Sequence, residues 1–337
     1  MKVGAFGEVM LRLTPPEYRL LEQGRTLCMD FTGTGVSILA NLAHFGLKTW
    51  MMTHLPKNRL GDAAEASLKQ MGMSTDFVGH SHNHIGSYFA ENGFGARPTY
   101  VTYQNRRDSS FGISGPDTYP IETFLDTVDM VHICGVSLGL TQDTWRSAKY
   151  IAQKAYEKNK TVCFDFNFRP SLNTEQGKGS LMKERYEEIL PYCDIVFGSL
   201  RDLTDLLKLA PAESVVSEED TLKLIRDFLK ANDIKWFAGT DRLRQKDGQY
   251  ITGRIVTLRE DIKTMPRHLT VLDRIGAGDA YAAGVLLGYC EKWSLERSAD
   301  FAVTNAVLAH TIAGDVPLTS REQVQHVLDH PTIDIIR

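Results

Sequence analysis

The sequence predicts an α/β fold: a central, mostly parallel sheet flanked by helices, with a small β-sheet lid. Strand-like and helix-like segments alternate along most of the 337 residues, the pattern of a parallel sheet wrapped by crossover helices. Two regions break that alternation with paired extended segments and no helix between them. The length and a hydrophobic content of 42% are enough for a large core without disulfide or metal staples.

The elements follow in order. Residues 2–6 read as a first strand and 36–45 as a helix. Residues 49–53 form a strand, and a helix over 63–71 follows Leu60-Gly61-Asp62. Residues 130–134 are a compact apolar strand, followed by a helix over 144–157. Residues 161–166 are a strand and 181–190 a helix. Residues 195–197 are a strand, with a helix near 203–209. Residues 221–230 are helical and 236–238 a strand. Helices dominate from 277 to 310, and a last one lies near 321–328. Residues 173–179 and 210–217 read as loops. The two breaks are 8–14 with 25–32, and 85–91 with 97–103 around the turn Asn92-Gly93-Phe94-Gly95. They predict a lid over the strand C-termini, where open α/β sheets bind ligands. Residues 1–337 are therefore read as one domain, with the lid formed by about 8–32 and 85–110.

Composition narrows the function. The formal charge of −4 offers no basic field for nucleic acid. Five widely spaced cysteines form no CxxC pair, so buried thiols in a reducing cytoplasm are expected. Glu8 and Arg12 interrupt the first apolar stretch, which rules out the core of a signal peptide. No run is long enough to span a membrane. His80, His82 and His84 recur at period two, but no Cys or carboxylate completes a ligand set, so they read as a turn between lid strands.

The chemistry concentrates in Asp273-Arg274-Ile275-Gly276-Ala277-Gly278-Asp279. Ala280, Ala283, Gly284, Leu287 and Gly288 then recur at helical spacing. A helix N-terminus offers unpaired N–H groups and the positive end of the dipole, and glycine lets a phosphate approach. Asp279 beside that anion hole suits a base for phosphoryl transfer to a hydroxyl. It also suits an ordinary helix start. Thr32-Gly33-Thr34-Gly35 lacks the third glycine of a dinucleotide fingerprint and reads as a tight turn near a ligand. In Asp165-Phe166-Asn167-Phe168-Arg169-Pro170, period two puts Asp165, Asn167 and Arg169 on one side. A guanidinium at a strand end grips a carboxylate in bidentate fashion.

The 273–284 stretch resembles the C-terminal signature of the PfkB/ribokinase family of carbohydrate kinases, D-T-x-G-A-G-D, with Arg274 in place of Thr. Gly33 to Gly46 is similar to that family's N-terminal signature. Residues 7–16 resemble the G-E-x-M-x-R-L-x-P-P opening of the branch acting on 2-keto-3-deoxygluconate. Asp165 to Leu172 resembles that branch's D-x-N-x-R-x-x-L. Tyr103, Arg106 and Ser109-Ser110 resemble its lid segment, with Arg107 a rival for Arg106 because the spacing is one residue longer. His310 to Asp315 resembles its H-T-I-P-G-D. Ser199 and Asp202 stand where the family carries Asn and Glu, and the usual Gly-x-x-Gly is absent: Gly239-Thr240-Asp241-Arg242 stands there.

The resemblance implies a ribokinase-like fold and ATP-dependent phosphorylation of 2-keto-3-deoxygluconate at its terminal hydroxyl. Asp279 is then the base, and the backbone of Gly276, Ala277 and Gly278 the anion hole, with Arg274 assisting. Gly33, Thr34, Tyr103, Arg106 and Arg169 bind the sugar acid. Ser199, Gly239, Thr240, Gly276, Gly278 and Asn305 meet the nucleotide. Mg²⁺ comes with ATP, Asp202 standing behind its waters and no residue ligating it directly; a monovalent cation is a further expected cofactor. A homo-oligomer through the lid is expected, with no nucleic-acid or membrane partner. The rivals are a fructokinase or ribokinase type of the same family and a non-catalytic sugar-acid-binding regulator.

Overall fold

The computed structural model describes residues 1–169, 178–316 and 318–330. Its centre is a ten-stranded sheet. The chain enters on β1 (Lys2–Phe6), leaves for two strands of a separate small sheet, β2 (Met10–Thr14) and β3 (Cys28–Thr32), and returns through α1 (Thr34–His44). Then come β4 (Lys48–Leu55), α2 (Arg59–Gln70) and β5 (Ser74–His80), which extend the main sheet on one side of β1. The chain leaves again for β6 (Ser87–Glu91) and β7 (Tyr100–Gln104) of the small sheet. After α3 (Ile121–Thr127), β8 (Met130–Cys134) joins the other side of β1. Helices α4 (Val136–Leu140) and α5 (Gln142–Glu157), β9 (Thr161–Asp165), α6 (Lys178–Ile189), β10 (Ile195–Phe197), α7 (Glu218–Asn232) and β11 (Trp236–Gln245) carry the sheet outward.

From β11 to β5 every pairing is parallel, in the order β11-β10-β9-β8-β1-β4-β5. An antiparallel group closes that edge: β12 (Gly248–Val256), β13 (Asp261–Lys263) and β14 (Arg267–Leu269). The chain ends in α8 (Ala277–Cys290), α9 (Leu295–Ala309) and α10 (Arg321–Asp329). Two buried clusters cover the two faces. One packs α1, α2, α8, α9 and α10 on Val3, Ala5 and Met130, the other α3, α5, α6 and α7 on Val131, Ile133 and Val162.

Helix α8 is buried almost all round, from Ala280 to Gly288. Its small residues explain how: a Cβ at Gly284 meets Ala302, and one at Gly288 meets Ser298. Helix α9 therefore lies close against it, and the Gly-Ala-Gly turn ahead of α8 is held by the packing of a whole helix pair.

The expected main-sheet strands are present, with β1, β8 and β10 at the expected bounds. Several expectations need correction. The helix near 203–209 is a single π-helical turn over Asp202–Leu206. Helix α6 already begins at Lys178, so Gly179 is not in a loop; 173–177, with Pro170 and Leu172, lie outside the described residues. The strand at 236–238 runs on to Gln245 and returns as β12, paired Gln245 with Gly248. Its outer half is exposed and polar, so no apolar alternation marks it. The histidine stretch joins β5 of the main sheet to β6, rather than two strands of the small sheet. His80 meets a carboxylate there, Glu65, at 2.8 Å. Among the described residues no group of three or more His, Cys, Asp or Glu is placed to hold a metal.

His132 sits in the middle of β8, fully buried, and neither ring nitrogen has a partner. Burial lowers its pKa to about 3. The unfolded chain therefore takes up a proton that the folded one refuses, and stability is lost as pH falls below the ordinary histidine value. Between about pH 7 and about pH 5 this one group should cost about 2 kcal/mol. Urea unfolding of the protein and of His132→Asn at both pH values measures it. The variant should lose less stability on acidification, and parallel losses would exclude His132 as the source.

Candidate active site

Strand β1 lies between β4 and β8, the two directions in which the sheet grows, so the strand order reverses there. Crevices at the C-terminal ends of such strands bind ligands. A cleft of about 640 Å³ opens there. Its floor is made by the strand tips: Gly7 and Glu8 after β1, Cys134 of β8, Asp165 of β9, Phe197 and Gly198 at β10, and Ala238 to Thr240 of β11. The small sheet, ordered β3-β2-β6-β7, covers one side with Met10, Thr32, Tyr88 and Tyr103.

Two helices aim their N-termini into this cleft. Gly33 and Thr34 begin α1 and line it. Gly276 caps α8 with a left-handed φ of 84°, and a Cβ there would strike the carbonyl of Asp315. Only glycine makes this turn without strain. At Gly278 a Cβ would meet no neighbouring atom, because that side of the turn faces the open cleft. Asp279 follows in the first turn of α8 and lines the cleft. Its pKa is pushed well up, by burial first and then by the carboxylate of Asp165, against the attraction of Arg169. Asp165 is itself raised to about 6 by burial, with Arg169 lowering it and Asp202 raising it. Asp202 Oδ2 accepts from Ser199 N–H at 2.7 Å and Ser199 Oγ at 2.8 Å, and burial raises its pKa too. Asp165, Asp202 and Asp279 thus line one cleft with Arg169, whose charge lowers the pKa of all three.

A Gly-Ala-Gly turn at a helix N-terminus with a carboxylate in the first helical turn, at the mouth of a parallel sheet, has the parts that phosphoryl transfer needs. Comparison with known proteins agrees. A family model described as "pfkB family carbohydrate kinase" matches residues 2–319. The chain belongs to the pfkB family of carbohydrate kinases. Among its relatives is the 2-dehydro-3-deoxygalactonokinase of Haloferax volcanii, 26% identical over 96% of this chain and 95% of that one. The 2-dehydro-3-deoxygluconokinase of Dickeya dadantii is 24% identical over 84% and 86%. A crystal structure from Enterococcus faecalis, provisionally named a 2-keto-3-deoxygluconate kinase, superposes with a TM-score of 0.97 at 55% identity, covering 100% of this chain and 99% of that one. The 2-dehydro-3-deoxygluconokinase of Thermotoga maritima gives 0.91 at 28% identity, over 98% of both chains.

Within this pfkB protein the cleft gathers most of the residues expected from the sequence. Gly33, Thr34, Tyr103, Arg106, Arg169, Ser199, Asp202, Gly239, Thr240, Arg274, Gly276, Gly278 and Asp279 all line it. Ala277 is buried in the first turn of α8. Asn305 does not reach the cleft wall. It is fully buried, donates to Ala280 O at 2.8 Å and Asn41 Oδ1 at 3.2 Å, and accepts from Thr319. It therefore locks α9 to α8 rather than meeting a nucleotide.

Of the two rival arginines, Arg106 is on the cleft wall and Arg107 is exposed. Asn105, with a left-handed φ of 38°, takes up the extra residue between Tyr103 and Arg106. Arg106 is buried and already paired: Nε and Nη2 donate to Glu8 Oε2 at 3.0 and 2.6 Å, and its guanidinium lies over the Tyr103 ring. A neutral sugar would not leave this cation uncompensated, so Arg106 by itself does not select an acidic substrate. The strict period-two reading of 165–169 also fails, since β9 ends at Asp165 and Asn167 takes a φ of 39°. All three polar side chains still line the cleft.

Sequence reasoning gave Asp165 and Glu8 no role of their own and missed a buried network around Arg12. Arg12 donates to Asp273 Oδ2 at 2.8 Å, to Asp315 and to Asn92 Oδ1 at 3.0 Å. Tyr88 donates its hydroxyl to Asp315, and Gly314 N–H donates to Asp273. A carboxylate at the tip of a central strand is a signal that finds Asp165. No local signal finds the Arg12 network, whose carboxylate partners are 261 and 303 residues away. Arg12→Met strands two buried carboxylates and should cost about 3–5 kcal/mol in urea unfolding. Adding Asp315→Asn should return part of that loss. A double variant no more stable than the single one would show that Arg12 and Asp315 are not coupled.

Proposed function

We propose that this protein is an ATP-dependent sugar-acid kinase that phosphorylates 2-keto-3-deoxygluconate at its terminal hydroxyl. The observation that carries the reading is the meeting, in one cleft, of Asp279 and its Gly-Ala-Gly turn with Arg169. Arg169 lies among the strand tips, where its charge acts on Asp165, Asp202 and Asp279. In this reading it grips the substrate carboxylate as a planar fork. Tyr103 and Arg106, the latter fixed by Glu8, form the lid wall, with Gly33 and Thr34 opposite. The terminal hydroxyl then faces Asp279, which takes its proton. The upward shift at Asp279 makes its ionised form a stronger base than an ordinary carboxylate. The backbone N–H groups of Gly276, Ala277 and Gly278 receive the charge on the moving phosphoryl group. Arg274 adds a cation there. Ser199, Gly239 and Thr240 line the nucleotide side.

Mg²⁺ fits the donor set: Asp165 and Asp202 are half-buried carboxyls on the cleft wall, Asp202 raises the charge cost of Asp165, and oxygen is the ligand this ion takes. When bound it neutralises phosphate charge. Asp202 spends one oxygen on Ser199, which suits a place behind the ion's waters. A monovalent cation is a further cofactor of this reading, though Asp273 and Asp315 near the Gly-Ala-Gly turn already share Arg12. The small sheet, in this reading, closes over the substrate to exclude water. Its face away from the cleft carries exposed Met29 and Tyr100, which support a homo-oligomer through the lid. Sedimentation of the purified protein as a monomer would remove that part. None of the five cysteines is in a disulfide, as in a cytoplasmic protein. The named Haloferax relative favours one second reading, the 4-epimeric galactonate-derived acid as substrate.

Release of ADP with a panel of sugars and sugar acids tests the whole reading, and turnover of neutral sugars alone would overturn it. Asp279→Asn should lower kcat by ~10²–10⁴-fold with substrate affinity little changed; near-normal turnover would remove Asp279 as the base. Arg169→Ala should lower kcat/KM for the sugar acid by about 1.5–3 kcal/mol, the range for hydrogen bonds to charged groups. If ATP affinity falls instead, Arg169 faces the phosphates.

A further inference from the structure

We infer that Arg242 is a nucleotide-binding residue that holds the phosphates which are not transferred. The inference rests on the kinase reading above and adds a residue to it.

Ala238, Thr240 and Arg242 share one face of β11 by strand alternation. Ala238 and Thr240 line the cleft, so Arg242 stands at its rim along the same strand. Its guanidinium is turned back, with Nη2 donating to His310 Nε2 at 3.0 Å. That geometry is set from the other end of the imidazole. His310 Nδ1 donates to Ala306 O at 2.6 Å, which leaves Nε2 as the acceptor. Burial lowers the pKa of His310, and the charges of Arg242 and Arg274 lower it further, so the ring stays neutral and keeps that lone pair.

The same histidine places the second cation. Its backbone carbonyl accepts from Leu272 N–H at 2.8 Å and Asp273 N–H at 3.2 Å. Arg274 is the next residue, and it lines the cleft beside Gly276 and Gly278. His310 thus brings β11 and the Gly-Ala-Gly turn together and aims one arginine from each. Their charges repel, and burial and Arg274 both push down the pKa of Arg242. Neither arginine meets a carboxylate among the described residues, whereas Arg12, Arg106 and Arg254 each do.

Two cations held together without a counter-ion make a site for a polyanion. Arg274 adjoins the anion hole for the transferred group. Arg242 lies further along β11 than the cleft-lining Ala238 and Thr240, which suits it to phosphates that are not transferred. The site therefore takes nucleoside di- and triphosphates and gains little from a sugar acid.

The test uses Arg242→Gln and Arg242→Lys in the full chain, with two readouts. Binding of ADP without sugar acid should weaken roughly tenfold or more in Arg242→Gln, the loss expected for a charged hydrogen bond. The KM for ATP should rise by a similar factor, with the KM for the sugar acid unchanged. Arg242→Lys should recover part of the loss, since it keeps the charge but not the fork. Unchanged ADP binding in Arg242→Gln overturns the inference and leaves Arg242 as a support for His310. A rise confined to the KM for the sugar acid overturns it as well. Melting temperatures without ligand are read for both variants. If Arg242→Gln is unfolded, Arg242→Lys decides: ADP binding equal to that of the unsubstituted protein overturns the inference. Failure of the kinase reading is seen separately, as binding of ADP by the unsubstituted protein with no turnover of any sugar or sugar acid.

Discussion

The arrangement of the cleft depends on one buried guanidinium. Arg12, on the second strand of the chain, is clasped by Asp273 just before the Gly-Ala-Gly turn and by Asp315 near the end of the described chain. Asn92 and Tyr88 tie the same cluster to the small sheet. A buried ion pair is an uncertain source of stability, because desolvation consumes much of the attraction. What it supplies here is position. Asp315 accepts from Arg12, Tyr88 and Thr32, its carbonyl accepts from Ser37, and that carbonyl lies where any side chain at Gly276 would stand. Movement of this one residue would shift the lid wall, the start of α1 and the start of α8 together.

The cleft floor has the opposite character. Asp165, Asp202 and Asp279 are carboxyls whose pKa values burial raises, with Asp202 adding to the rise at Asp165 and Asp165 to that at Asp279. Arg169 offsets only part of that. Such a site is unfavourable to the folded protein alone and becomes favourable when cations and a proton donor arrive. Perturbed pairs of this kind mark working sites. The contrast between a compensated frame around Arg12 and an uncompensated floor separates what holds the cleft open from what acts within it.

Much of this was legible in the sequence. The strands at 2–6, 130–134 and 195–197 are short apolar runs between polar segments, and burial on both faces of a parallel sheet produces that pattern. The Gly-Ala-Gly-Asp turn was legible because its chemistry is local: a backbone hole, a helix start and a carboxylate within seven residues. The β11–β12 hairpin was not, since its outer half projects into solvent and carries no apolar period; Asp247-Gly248 was its one turn signal. Asn305 was misplaced because a buried amide that joins two helices and one that meets a base look alike in sequence. Arg106 was found, but not Glu8, whose role exists only through a contact 98 residues away. Pairings of that range are written in the fold and not in any local period.

The strand order also has a consequence in time. Strand β1 is made before its neighbours and ends in the middle of the sheet, with β4 and β5 following soon and β8 later. Domains assemble from the N-terminus as they are synthesised. Arg12 is therefore in place long before Asp273 and Asp315 have been made. A partly synthesised chain carries a cation in a forming core with neither counter-ion, and its Gly-Ala-Gly turn has not yet been added. The ion pair that fixes the lid wall and the turn that would act on phosphate thus arrive from the same late stretch of chain, so a ribosome-bound fragment has a sheet before it has any means of catalysis.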